Sequence, residues 1–211
     1  MAVIDHLVLA ATDLEAGGAW LEGQLGVPLS RGGRHVRMGT HNRLLRLGER
    51  LYLELIAIDP TAPSPGRPRW FALDRFTAGS NGRPRLVHWV ARSDDIVREA
   101  AACGEPLGEI LAMERGDYRW RITVPADGHL PGAGLVPSLI QWDVPTHPAM
   151  SLPDAGCEMM KLEGFHPRPA LIRAALHSLG LGRQLDMHGS DDGESLLVAY
   201  LRTPAGLVEL D

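Results

Sequence analysis

The sequence predicts an α+β chain built from repeated β-α-β-β-β modules. Three observations predict it. Three segments replay one order of strand, helix and strand signals, each helix is closed by a glycine, and polar residues recur at the centres of the opening and closing strands. His6 to Glu54 spans 48 residues, His88 to Gln141 spans 53, and Met160 to Glu209 spans 49. A period near fifty residues marks supersecondary units that bury their apolar faces against one another.

The first segment opens with the strand-like run Val3–Leu9. Thr12-Asp13 offers an N-cap to a helix from Leu14 to Leu25, whose Leu14, Leu21 and Leu25 share one face. Gly26 suits the left-handed position after that helix. Strands are expected at 34–38, 42–47 and 51–58, the last strongly apolar. The second segment repeats this with a strand at 86–91, a helix at 94–103 capped by Ser93 and stopped by Gly104, and strands at 108–113, 119–124 and 138–142. The third begins at Cys157–Leu162, has Pro167 near the start of a helix closed by Gly180, and ends with strands at 196–202 and 206–210.

Two Pro/Gly-rich stretches, 59–68 and 144–156, read as connections. Trp70-Phe71-Ala72-Leu73 interrupts the first as a short helical turn tucked on the core, and Gly79-Ser80-Asn81-Gly82 reads as a turn. The expected organisation is a domain over residues 1–150, made of paired modules 1–58 and 84–144. Residues 157–211 follow as a degenerate third module, packed on that domain or on a partner chain.

The 211 residues are enough for a substantial core, and 45 % hydrophobic with 22 % charged residues is ordinary globular composition. A formal charge of −5 and scattered arginines argue against a nucleic-acid partner. No window approaches the ~20 apolar residues of a membrane helix, and the N-terminus lacks the basic and apolar regions of a signal peptide. Cys103 and Cys157 have no metal-like spacing and read as buried filler, which suits a reducing cytoplasm.

Strand alternation draws attention to the polar centres. His6 lies between Ile4 and Val8 on one strand face, Glu54 between Tyr52 and Ile56, and His88 between Leu86 and Val90, while Gln141 partly matches Glu54. An ionisable group inside an apolar strand is costly to bury unless it is paired or coordinates something. Each could be a hydrogen-bonded core residue. Together, at equivalent points of two repeats, they could form one divalent-metal site of imidazole, carboxylate and amide oxygen. Arg121 shares a strand face with Arg119 and Thr123, and reads either as a surface ion pair or as a bidentate clamp for an anion. Asn42 is expected to line the same cavity. His35 and His41 are expected on loops or strand edges, and His147 is assigned no role.

The run Ile4-Asp5-His6-Leu7-Val8-Leu9 followed by Thr12-Asp13-Leu14 resembles the opening of vicinal oxygen chelate modules. Met38-Gly39-Thr40-His41-Asn42, Tyr52-Leu53-Glu54-Leu55, Arg69-Trp70-Phe71 and Leu139-Ile140-Gln141-Trp142-Asp143 are similar, in order, to the glyoxalase-like family of that superfamily. The resemblance covers residues 1–150 and extends beyond them only by pattern. It implies a cupped, mostly antiparallel sheet with helices outside. It also implies a divalent metal (Zn, Ni, Mn or Fe) held by His6, Glu54, His88 and Gln141. Gln141 departs from the family pattern, which has Glu there, so Glu54 is the only carboxylate of the four and the expected proton-transferring group. The implied activity is a metal-dependent lyase or isomerase acting on a small oxygenated metabolite. A non-catalytic, resistance-type binding protein and an iron-dependent ring-cleaving dioxygenase are the alternatives. A homodimer is expected if the third module's strands are covered by a second chain.

Overall fold

Eight strands form one curled sheet, and its two halves have the same topology. The structure, a computed structural model, describes residues 2–78 and 82–211, so most of the turn expected at Gly79-Ser80-Asn81-Gly82 lies outside the described residues. The first half is β1 (Val3–Ala10), α1 (Leu14–Leu25), β2 (Ser30–His35), β3 (Thr40–Gly48) and β4 (Leu51–Ile58). The second is β5 (Arg85–Arg92), α2 (Ile96–Ala102), β6 (Glu109–Arg115), β7 (Tyr118–Val124) and β8 (Ser138–Trp142). The strand order β2-β3-β4-β1-β5-β8-β7-β6 places the two opening strands side by side at the centre. Each opening strand runs parallel to the closing strand of its own module, and β1 and β5 are antiparallel to each other. The remaining pairs are antiparallel, so this is the cupped, mostly antiparallel sheet expected, with its helices on the outside.

Period-two alternation divides the sheet's side chains into two cores. The outward set includes Leu7, Leu9, Leu53, Leu55, Trp89 and Ala91, which pack with Leu21 and Leu25 of α1. The inward set includes Val8, Ile56, Val90, Ile122 and Ile140, and it lines the cup. Removing one such aliphatic or aromatic side chain from water stabilises the fold by roughly 1.5–3 kcal/mol. Asp13 caps α1 by accepting from the Ala16 amide at 2.7 Å, and Gly26 ends the helix at φ 70°, where a side chain would be strained.

Several elements differ from expectation. β2 starts at Ser30 and ends at His35, because residues 36–39 turn back towards β3. The N-cap of α2 is Asp95, which accepts from the Arg98 amide, while the Ser93 hydroxyl accepts from the Asp95 amide. The Trp70 stretch is, as expected, a short helical turn, Trp70–Arg75, with Phe71 and Ala72 at positive φ and Trp70, Phe71 and Leu73 buried.

After α3 (Pro148–Ser151), the third unit comprises β9 (Glu158–His166), α4 (Pro169–Ser178), β10 (Asp186–Gly189), β11 (Leu196–Thr203) and β12 (Gly206–Leu210). Its element order repeats that of the modules, but its pairing does not. Here the opening strand β9 lies between β10 and β11, in the order β10-β9-β11-β12. β10, the four residues Asp-Met-His-Gly, is too short and polar to read as a strand from sequence. Leu162, Leu197, Ala199 and Leu201 share a continuous core with the outer face of the large sheet, and the Leu86 amide donates to the Asp211 carbonyl at 2.8 Å. One face of the third unit's strands is thus covered within this chain, while Met160, Leu196 and Leu207 stay exposed. No helix among the described residues is long and apolar enough to cross a membrane.

Candidate active site

Inside the cup, β1 and β4 run parallel with His6 opposite Tyr52 and Val8 opposite Glu54. This register puts the His6 and Glu54 side chains on the inner face, one step apart. His6 Nε2 lies 3.7 Å from Glu54 Oε2, and both residues are buried. The His6 ring stacks on Tyr52, with centroids 4.5 Å apart. Burial raises the Tyr52 phenol well above its ordinary value, so it stays protonated. Asn42 on β3 donates its Nδ2 to Glu54 Oε1.

His6 is oriented by its own neighbour. The β1–β5 pairing shifts register between Ile4 and His6, a bulge at Asp5 of the kind that re-aims a side chain. Asp5 is fully buried and accepts from His6 Nδ1 at 2.7 Å, His147 Nε2 at 3.0 Å, Trp142 Nε1 at 3.0 Å and Arg92 Nη1 at 3.4 Å. Burial alone would raise its carboxyl, but the hydrogen bonds from His147 and His6 outweigh burial and hold it well below the usual carboxylate range. With Nδ1–H tied to Asp5, His6 presents Nε2 to Glu54 and the cavity.

The cavity is narrow, with about 20 Å³ of free space between its walls, and is lined by Trp70, Phe71, Trp120 and Trp142 together with Ile122 and Ile140. Arg115, at the end of β6, reaches it from the opposite edge of the sheet. Its Nη1 donates to His35 Nε2 at 3.1 Å and to Asn42 Oδ1 at 3.3 Å. His35 therefore uses Nδ1–H to donate to Thr40 Oγ1 at 3.1 Å, and burial followed by the Arg115 charge holds it well below its ordinary pKa. Space for this crossing comes from Gly32 and Gly33. A Cβ on Gly33 would lie 2.5 Å from Arg115 Cδ, and one on Gly32 would lie 2.0 Å from Asn42 Oδ1.

Of the four residues expected to hold a metal, the structure brings together two, His6 and Glu54. His88 is on the inner face, but both ring nitrogens are engaged within its own module. Nδ1–H donates to the Gly134 carbonyl at 3.2 Å, and Nε2 accepts from the Ser138 amide at 3.0 Å, with Ser138 Oγ at 3.1 Å. Burial lowers its pKa to about 3, against the raising effect of the Gly134 bond, so the ring is neutral. Gln141 is on the other face, where its Oε1 accepts from the Ile96 amide at the start of α2, and Ile140 and Trp142 point inward beside it.

Strand register explains the error in assigning Gln141. Val8, two residues after His6, faces Glu54, and Val90, two residues after His88, faces Ser138. Ser138 is therefore the counterpart of Glu54, and the His88–Ser138 pair is the second module's copy of His6–Glu54. No group of three or more His, Cys, Asp or Glu among the described residues is placed to hold a metal ion. The donor set does not fit a four-ligand centre, since one imidazole is fully engaged and the amide faces away.

Arg121 is also corrected. It forms a two-pronged surface pair with Asp143, Nη2 to Oδ1 at 2.7 Å and Nε to Oδ1 at 3.1 Å, outside the cup. Asn42, expected to line the cavity, is not among the residues that line it and instead links Glu54 Oε1 to Arg115 Nη1 behind them. Sequence reasoning passed over Asp5, His35, Arg115 and His147. Asp5 was hidden by the bulge, and His147 by its position in an irregular connection, where its Nδ1 accepts from the Ala149 amide.

This cupped pair of modules around an inward His–Glu pair is the architecture of the vicinal oxygen chelate proteins. The chain belongs to the glyoxalase-like domain family, whose model matches residues 4–180. Among solved structures, a hypothetical protein from Staphylococcus aureus matches all of this chain and 86 % of its own, at 12 % identity and a TM-score of 0.57. Methylmalonyl-CoA epimerase from Mycobacterium tuberculosis matches 66 % of this chain and 85 % of its own at 20 % identity, with a TM-score of 0.41. A hypothetical protein from Bacillus halodurans matches 69 % and 96 % respectively, at 14 % identity and a TM-score of 0.45. No curated protein matches the chain.

Proposed function

We propose that this protein is a lyase or isomerase that moves a proton on a small oxygenated metabolite. Glu54 takes the proton from carbon, and His6, carrying a proton on each nitrogen with Nδ1–H held by Asp5, donates Nε2–H to the neighbouring oxygen, where the electron pair moves. The observation that carries this reading is the 3.7 Å separation of Glu54 Oε2 and His6 Nε2 at the floor of a walled cavity. A carboxylate and an imidazole so placed reach two adjacent atoms of one substrate. Asn42 holds the second Glu54 oxygen and Asp5 holds the far side of His6, so neither side chain has to reorganise during the reaction. No step is assigned to a metal, because the residues present do not fit the expected centre. For the same reason the two-histidine, one-carboxylate set of a ring-cleaving dioxygenase is not assembled.

The aromatic walls favour a second reading, sequestration of a small flat ligand without chemistry. Trp70, Phe71, Trp120 and Trp142 concentrate in this cavity much of the chain's small aromatic complement. One experiment separates the two readings. Small hydroxy and oxo acids are incubated with the protein in deuterated water, and exchange at the carbon next to the oxygen is followed by NMR. Catalysed exchange that falls about 100-fold or more in Glu54→Gln, the loss typical of a missing general base, supports proton transfer. Saturable binding with no exchange overturns it in favour of sequestration.

A further inference from the structure

Arg115 is a cation without an anion. Among the described residues no carboxylate lies within ion-pair distance of it, although it shares a cavity with Glu54 and His6. Its internal bonds are made by Nη1 alone, and both acceptors, His35 and Asn42, are neutral. A guanidinium carries five N–H donors in a planar fork. The Nε and Nη2 side of this fork has no protein acceptor among the described residues, and neither atom is a buried orphan. The Tyr118 ring, 5.8 Å from the Arg115 carbon Cζ, supports the charge from one side. A half-open fork of this kind matches the two oxygens of a carboxylate.

We propose that Arg115 is the recognition residue for a small organic monocarboxylate. The acid's carboxylate pairs with the open edge of the guanidinium, and its apolar body lies against Trp70, Trp120 and Trp142. This deepens the proton-transfer reading and rests on it for the word substrate, but the binding stands independently. Three features select a monoanion over a phosphate. Arg115 is the only Arg or Lys lining the cavity among the described residues, His35 is held neutral beside it, and the Glu54 carboxylate lies across the same space. A dianion would meet one cation and a nearby like charge. The free space is only about 20 Å³, so the ligand is a small molecule whose body enters as the tryptophan side chains part to admit it.

Three tryptophans line the site, so their emission reports occupancy without turnover. The wild-type protein is titrated with benzoate and pyruvate, with the uncharged isosteres benzamide and pyruvamide, and with inorganic phosphate. Saturable binding of at least one acid is expected, about tenfold or more tighter than its amide and tighter than phosphate. Arg115→Gln should weaken the acid about tenfold or more with little effect on the amide, and Arg115→Lys should recover part of the loss. Glu54→Gln should bind the acid as tightly as wild type or more tightly, so loss of proton exchange in that variant leaves this inference untouched. Equal binding of acid and amide by the wild-type protein overturns the proposal, even if Arg115→Gln fails to fold. So does a preference for phosphate, failure of both acids to bind, or unchanged acid affinity in a folded Arg115→Gln.

Discussion

His147 Nε2 donates to Asp5 Oδ2 at 3.0 Å, joining two residues 142 positions apart in the chain, both fully buried. The same carboxylate orients His6, so a histidine in the connection to the third unit is tied to the floor of the site through one intervening group. Tyr52, stacked on His6, also meets the His147 ring edge-on at 5.6 Å. The connection from β8 to β9 is therefore part of the frame that holds the site.

Asp5→Asn should cost about 3 kcal/mol of stability, because a buried carboxylate with four donors is replaced by an amide that must point a donor at one of them. The folded carboxyl is depressed relative to the unfolded chain. Its stabilising contribution is thus complete above about pH 4, the ordinary carboxyl value, and lost as pH falls further towards the folded pKa. Urea unfolding from pH 7 to 2 should show the acid limb of the wild-type curve flattened in Asp5→Asn. Additive effects of Asp5→Asn and His147→Ala in a double-mutant cycle would show that the two residues do not act through this contact.

His88 makes the opposite kind of pH prediction. Its folded pKa of about 3 lies below the ordinary imidazole value of 6.5, so the unfolded chain binds the extra proton between those limits. The neutral ring's contribution is complete above about pH 6.5 and is lost as pH falls towards 3. The slope reaches at most about 1.4 kcal/mol per pH unit for one proton. His35, also depressed, adds to it in the same direction. Replacing His88 by Leu should remove about one proton from the slope measured between pH 6 and 4.

Gly33→Ala should disturb ligand binding before it disturbs the fold. The new methyl would come 2.5 Å from Arg115 Cδ, and the flexible arginine is the group that gives way. Acid affinity should fall several-fold while the unfolding free energy changes by about 1 kcal/mol or less. The tryptophan titration checks the first, and urea unfolding the second.

Arg121→Ala should be nearly silent. Its pair with Asp143 is surface-exposed, and such pairs contribute roughly 0–1 kcal/mol. Ligand affinity and proton exchange should match the wild-type protein. A tenfold loss of either would place Arg121 in the site after all.

The sequence made the first module legible and the second misleading, for one physical reason. Alternation along β1 and β4 correctly turned His6 and Glu54 inward, since both strands are apolar and continuous around them. Matching modules by the spacing of polar centres then selected Gln141, which is polar because it caps α2 rather than because it faces the cup. Its true counterpart, Ser138, opens β8 directly after a loop, where a serine attracts no notice. Arg115 was illegible because its importance depends on two sheet edges meeting across the cup, and pairing between distant edges leaves no periodic trace. Arg121 looked the better clamp only because it lies at the centre of a strand.

The correspondence between His88–Ser138 and His6–Glu54 has a consequence for how such a protein can change. In the proposed reaction the reacting pair, His6 and Glu54, resides in one copy of the duplicated module. The other copy supplies the Trp120, Ile122, Ile140 and Trp142 walls and reaches back with Arg115. Drift in the second copy can therefore alter what is selected without touching the groups that react. A library confined to the inward positions of β6, β7 and β8 would explore new ligands with His6 and Glu54 unchanged.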